Sequence, residues 1–227
     1  MPITRREPLR LVIFDCDGVL IDSEPVVNRV VAAELTRLGW PMTAEESCAR
    51  FLGLDLDAMV PLIETRLGHR LPVGWICATT ARIVAALEQD APMVPGAREA
   101  LAAVDALGLP WRVASNSSHA EMRAKFARNG LLPVVVGRLH SFTDVPRGKP
   151  APDLFLAAAA AEGVRPSACL VIEDSVPGVR GAAAAGMACL GYAPHGDGVA
   201  LAAAGAALFR SLFELPDLLR AAVEPVC

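Results

Sequence analysis

The rhythm of apolar and polar positions changes several times along the chain. Short, mostly apolar runs stand at Leu9–Phe14, Trp111–Ala114, Pro133–Val136, Cys169–Ile172 and Ala188–Tyr192. The first is partly β-branched and ends at an acidic turn, the pattern of a strand buried on both faces of a parallel sheet. Helical spacing fills the intervals. Gly96–Leu107 carries apolar residues at Ala97, Leu101, Val104 and Leu107. Ala120–Asn129, Pro152–Glu162 and Val176–Ala185 are followed by Gly130, Gly163 and Gly186, and a glycine there ends a helix. Strands alternating with such helices predict an α/β fold with a doubly wound, mainly parallel, Rossmann-like sheet.

One stretch breaks the alternation. Between the first strand and Met93-Val94-Pro95-Gly96 there is no strand pattern, only helices. Pro25–Leu38 ends at Gly39, and Thr43 with Glu46 forms a capping box for Ala44–Arg50. Leu56–Leu67 ends at Gly68, and Val73–Glu88 places Ile76, Thr80, Ile83, Val84 and Leu87 on one face. The expectation is a small helical bundle at 23–90 inserted into an α/β core made of 1–22 and 91–227. Its hinges fall near Asp22–Glu24 and Asp90–Pro95.

Composition narrows the partners. With 227 residues, 53% hydrophobic and 20% charged, the chain can bury a full core. A net charge of -4 and scattered basic residues argue against nucleic acid, whose binding rests on neutralising phosphates. No apolar run approaches the ~20 residues that span a bilayer. Met1–Leu9 is polar and lacks the pattern of a secretory leader. Of the six cysteines (Cys16, Cys48, Cys77, Cys169, Cys189 and Cys227) none forms C-x-x-C or a zinc spacing with histidine. Free thiols in a reducing cytoplasm are expected. The four histidines, His69, His119, His140 and His195, share no motif and are expected at exposed loop or helix positions. Nucleotide P-loop, dinucleotide, zincin and nucleophile-elbow motifs are missing; Gly148-Lys149 runs into Pro150.

The chemistry concentrates in Phe14-Asp15-Cys16-Asp17-Gly18, with Asp22-Ser23-Glu24 after it. Two carboxylates leave the C-terminal end of a strand, the edge of an open parallel sheet where ligands bind. Their like charges invite a cation, and hard oxygen donors with vacant positions suit magnesium. A carboxylate can attack phosphorus, and a second can protonate the leaving oxygen and then deprotonate water. A lone D-x-D-G also occurs as a plain acidic turn. Cys16, between the aspartates, reads as a small buried apolar residue.

Together with Asp22-Ser23-Glu24, Asp15-Cys16-Asp17-Gly18 resembles the first signature of the haloacid dehalogenase-like superfamily. Ser115-Asn116 matches the second, Lys149 in Arg147-Gly148-Lys149-Pro150 the third, and Glu173-Asp174-Ser175 the fourth, in order and over nearly the whole chain. The resemblance implies a small phosphorylated metabolite as partner, Asp15 as nucleophile and Asp17 as acid/base. It implies Ser115, Asn116 and Lys149 around the phosphoryl group, with Lys149 also neutralising the nucleophile. Magnesium would be held by Asp15, Asp174 and the Asp17 carbonyl, with Glu173 acting through water or from behind.

The insert is similar to the helical cap of the beta-phosphoglucomutase and phosphoglycolate phosphatase branch. On that likeness Phe51-Leu52-Gly53-Leu54 is a specificity loop, with Gly53 and the neighbouring Arg50 as cap-side substrate residues. Asp17 argues against carbon–halogen cleavage, because the dehalogenases lack that aspartate. Ser23 and Val27 stand where the mutases carry Thr and His, which weakens a mutase reading. Hydrolysis of a phosphomonoester, a sugar or sugar-acid phosphate, is the leading expectation. The alternatives are a phosphosugar mutase using the same aspartyl phosphate and an inactive phosphometabolite-binding protein, the latter opposed by the intact signatures. A monomer or small homo-oligomer is expected.

Overall fold

The computed structural model describes residues 7–51 and 54–223. Six parallel strands are found among them: β1 (Leu11–Phe14), β2 (Trp111–Ser115), β3 (Leu139–Ser141), β4 (Cys169–Glu173), β5 (Ala188–Tyr192) and β6 (Ala207–Phe209). They lie in the order β3-β2-β1-β4-β5-β6. Val12 pairs with Trp111 on one side of β1 and with Leu170 on the other. The chain therefore leaves β1 in one direction and returns on its other side at β4. That reversal opens a crevice at the C-terminal strand ends, where ligands bind in doubly wound sheets. Asp15 follows β1, Ser115 ends β2 and Glu173 ends β4, all on that edge.

Successive strand residues point to opposite faces, and both faces are buried. Val12, Phe14, Val113, Leu170 and Ile172 belong to one core. Leu11, Ile13, Ala114 and Val171 belong to the other. Helices α5 (Ala97–Ala106), α6 (His119–Arg128), α7 (Leu132–Val135) and α11 (Leu215–Val223) contribute to the first core. Helices α8 (Asp153–Ala161), α9 (Val176–Ala184) and α10 (Val199–Ala204) contribute to the second.

Between β1 and α5 stand α1 (Glu24–Arg37), α2 (Ala44–Phe51), α3 (Leu56–Leu67) and α4 (Trp75–Gln89). The segments that lead out to them and back run antiparallel beside each other. The Asp22 N–H donates to the Pro92 carbonyl at 2.8 Å, and the Val94 N–H donates to Leu20 at 3.0 Å. Thr43 and Glu46 form the expected capping box at α2, with bonds of 2.8 and 3.2 Å.

The structure differs from the pattern reading in a few elements. Pro133–Val136, expected as a strand, forms most of helix α7, because Pro133 suits a first helical turn and Val135 alone turns inward. The strand follows at Leu139–Ser141. The three-residue edge strand β6 carries too little pattern to stand out, and helix α11, with Leu215, Leu218, Leu219 and Ala222 at helical spacing, is a further element that the pattern reading does not include. In α4 the buried stripe is Trp75, Thr79, Ile83 and Leu87, set by insertion of Trp75, while Val73 is exposed. His140 stands in β3, half-buried, where a loop or helix was expected.

Candidate active site

Four side chains from three separate segments meet at the crevice. Ligand oxygens of Asp15, Glu173 and Asp174 all lie within 4.8 Å of one another. The Lys149 ammonium donates to Asp15 Oδ1 and, at 2.6 Å, to Glu173 Oε1. Glu173 is fully buried, and its other oxygen accepts from the Asp174 and Ser175 N–H groups at 3.0 and 2.9 Å and from the Ser175 hydroxyl at 2.9 Å. Glu173 is thereby an orienting group for Lys149. No hydrogen bond to the Asp174 carboxylate is found among the described residues.

Two glycines make this packing feasible. Gly18 turns with φ +76°, and a Cβ there would fall 2.0 Å from Asp174 Oδ2. A Cβ on Gly178 would fall 1.8 Å from Glu173 Oε1. In the same helix Gly181 faces the Phe155 ring, whereas Gly178 shapes the carboxylate site itself.

The electrostatics are unbalanced in a telling way. Burial pushes the Asp15 carboxyl up to about 7, against the pull of Lys149 and with help from Glu173 and Asp17. Burial, then Glu173 and Asp15, raise Asp174 well above the usual carboxylate range. Burial works against the Lys149 charge, but Asp15 and Glu173 outweigh it and raise its pKa. One ammonium among three carboxylates leaves an excess of negative charge that a divalent cation would balance. The donors are hard oxygens and Asp174 is free to bind, so the residues fit magnesium.

Asp17 lies apart from the Asp15–Glu173–Asp174 group: its carboxylate is turned to a different set of partners. Oδ1 accepts from the Ser23 hydroxyl and from the Lys125 ammonium. Oδ2 accepts from Ser115 at 3.1 Å and Ser117 at 2.8 Å. Burial pushes this carboxyl upward, but Lys125 and the hydrogen bonds from Lys125, Ser23 and Ser117 hold it at about 2.

Ser118 caps α6 through a reciprocal box with Glu121, which leaves Ser115, Asn116 and Ser117 for the site. Asn116 spends its side-chain amide on the Lys149 backbone. Lys125 and Ser117 were not singled out from the sequence. Lys125 sits beside Met122 and Phe126 on the buried face of α6, and a lysine on an apolar face was the available signal.

Of the two cap-side candidates, Arg50 is among the described residues. The Arg50 guanidinium lies 5.3 Å from the Trp40 ring centroid, with Arg66 at 5.6 Å from the same ring. Gly53 lies outside the described residues. Cys16 is buried, and burial raises its thiol pKa. Among the described residues no helix is long and apolar enough to cross a membrane.

The chain is similar to known proteins in sequence and in fold. The family model for haloacid dehalogenase-like hydrolases matches residues 9–186. The chain is 27% identical over 216 residues to the 6-phosphogluconate phosphatase of Escherichia coli (strain K12), covering 94% of this chain and 96% of that one. It is 34% identical over 177 residues to hexitol phosphatase B of the same organism, covering 77% and 79%. Among solved structures, a HAD family hydrolase from Deinococcus radiodurans R1, with bound phosphate and sodium, superposes with a TM-score of 0.77. It has 31% identity and covers 95% of this chain and 97% of that one.

Proposed function

The chain belongs to the haloacid dehalogenase-like hydrolase family, and from that premise we propose a magnesium-dependent phosphatase of a small phosphorylated sugar acid or sugar alcohol. It works through an aspartyl phosphate on Asp15. The observation that carries this reading is the convergence of Asp15, Lys149, Glu173 and Asp174 at one strand edge.

The Asp15 carboxylate attacks phosphorus as the bond to the leaving oxygen breaks, and Asp17 gives that oxygen a proton. Asp17 is ionised in the free site, and the negative charge of an arriving phosphoryl group favours the proton uptake this step needs. In the second half, water attacks the aspartyl phosphate and passes its proton to Asp17, which releases inorganic phosphate and restores Asp15. Lys149 neutralises Asp15 and the transferring oxygens throughout. Ser115, whose hydroxyl donates to Asp17 in the free site, turns it to those oxygens when the phosphoester binds, and Asn116 contributes by fixing Lys149.

Magnesium would be held by Asp15, Asp174 and the Asp17 carbonyl, with Glu173 behind them; when bound it neutralises the phosphoryl oxygens as a Lewis acid. Residues 1–22 and 91–227 act as the core, and 23–90 as a cap that limits water and reads the leaving group. The substrate class follows the names of the curated relatives, a phosphorylated sugar acid and hexitols.

Inorganic phosphate released from 6-phosphogluconate, sorbitol 6-phosphate and p-nitrophenyl phosphate, with magnesium present, tests the proposal. Release from p-nitrophenyl phosphate and at least one of the two metabolites supports it. No release from any of the three, or isomer conversion that depends on a bisphosphate activator without phosphate release, overturns it.

A further inference from the structure

Lys125 is among the most deeply buried charged side chains described, with 1% of its surface exposed. Its ammonium touches Asp17 Oδ1 at 2.5 Å and Ser117 Oγ at 2.8 Å. Ser117 in turn donates to Asp17 Oδ2 at 2.8 Å. One lysine therefore reaches both carboxylate oxygens, one directly and one through a serine, beside the Ser23 and Ser115 hydroxyls that also donate to them. The Asp17 side chain is 29% exposed, so it faces the crevice while Lys125 lies beneath it. A bound phosphoester can reach Asp17 but not Lys125.

The lysine is itself anchored. The Asn129 amide donates to the Lys125 carbonyl at 2.8 Å and to the Ala91 carbonyl at 2.6 Å. Arg128 donates to the Gln89 carbonyl at 2.9 Å. Helix α6 is thus tied to the segment that returns from the inserted helices. Its ammonium has little freedom to follow Asp17 elsewhere, and burying a lysine without a carboxylate partner would be costly.

We propose that Lys125, acting through Asp17 and Ser117, is a positioning residue that aims the Asp17 carboxyl at the leaving oxygen. The inference rests on the phosphatase reading above. It assigns a role to a residue outside the four signature segments. Lys125 transfers no proton and touches no substrate; it removes the rotational freedom Asp17 would otherwise have at a half-open crevice.

The test uses leaving groups that differ in their need for a proton. An alkyl phosphate releases a strongly basic oxygen and requires the acid, whereas p-nitrophenyl phosphate releases a stable phenolate and does not. The ratio kcat/KM reports chemistry up to departure of the leaving group. In Lys125→Met it should fall about 100-fold for whichever of 6-phosphogluconate or sorbitol 6-phosphate the wild type hydrolyses, and stay within about threefold for p-nitrophenyl phosphate.

Ser117→Ala, which leaves the buried ion pair intact, should show the same selectivity with a smaller loss; it decides the matter if Lys125→Met does not fold. Equal losses on both substrate types, or no loss on the alkyl phosphate, overturn the positioning role while leaving the phosphatase reading in place. A wild type inactive on all three compounds overturns both.

Discussion

Asn116 grips the backbone of Lys149 from both sides: its Oδ1 accepts from the Lys149 N–H at 2.8 Å, and its amide donates to the Lys149 carbonyl at 3.1 Å. Residues 33 positions apart are thereby locked, and the loop that carries the ammonium is fixed to the end of β2. Asn116→Ala should lower kcat about tenfold or more, because a lysine displaced by a fraction of an ångström no longer neutralises Asp15 and the phosphoryl group together. Steady-state kinetics with melting temperatures checks this. Unchanged kcat in a folded variant would show that Lys149 holds its place without Asn116.

Asp15→Asn should reduce phosphate release by about 1,000-fold or more, since an amide is a poor nucleophile and a poor magnesium ligand. Mass spectrometry after trapping with a phosphate donor should find the phosphoryl adduct on Asp15 in the wild type and none in the variant. Phosphate release near the wild-type rate would refute the nucleophile assignment.

The crowded carboxylates predict a pH signature for the metal-free protein. Burial pushes the Asp15 carboxyl up to about 7 in the folded protein, above its ordinary value of 3.8. Between those values the native state binds more protons than the unfolded one, so stability falls as pH rises through that window. A divalent cation bound at these carboxylates would displace that proton, and its stabilising effect should grow with pH. Melting curves with EDTA and with magnesium at pH 5 and pH 8 check both signs: EDTA samples should melt lower at pH 8, and the gain from magnesium should be larger there. A gain larger at pH 5 would contradict the site as drawn.

Gly178→Ala places a methyl group where Glu173 already stands. The Cβ would lie 1.9 Å from the carboxyl carbon, so the buried glutamate must move and loosen its hold on Lys149. A loss of stability of about 1–3 kcal/mol is expected from the overpacking, with a fall in kcat beside it. Gly181→Ala faces an aromatic ring, not the site, and should cost stability with little effect on kcat beyond it. Chemical denaturation and kinetics of the two variants separate the roles.

Much of this was legible along the chain because it is local. Strand ends followed by acidic or polar turns, glycines after helical runs, and the Thr43–Glu46 capping box all follow from side-chain spacing and backbone preference, and they mark the sheet, the inserted helices and the carboxylates on the strand edge. Two of the elements that spacing missed have a weak or misleading pattern of their own: α7, which mimics a strand through its valines, and the three-residue β6, which exists because β5 offers it an edge.

Tertiary structure alone decided which charges meet. Nothing in the spacing links Lys125 to Asp17, Asn116 to the backbone of Lys149, or Gly178 to the Glu173 carboxylate, and nothing there seats Arg50 over Trp40. Those contacts join segments that the sheet order brings together, and whether a buried charge finds its partner depends on distance in space, which periodicity along a chain does not encode.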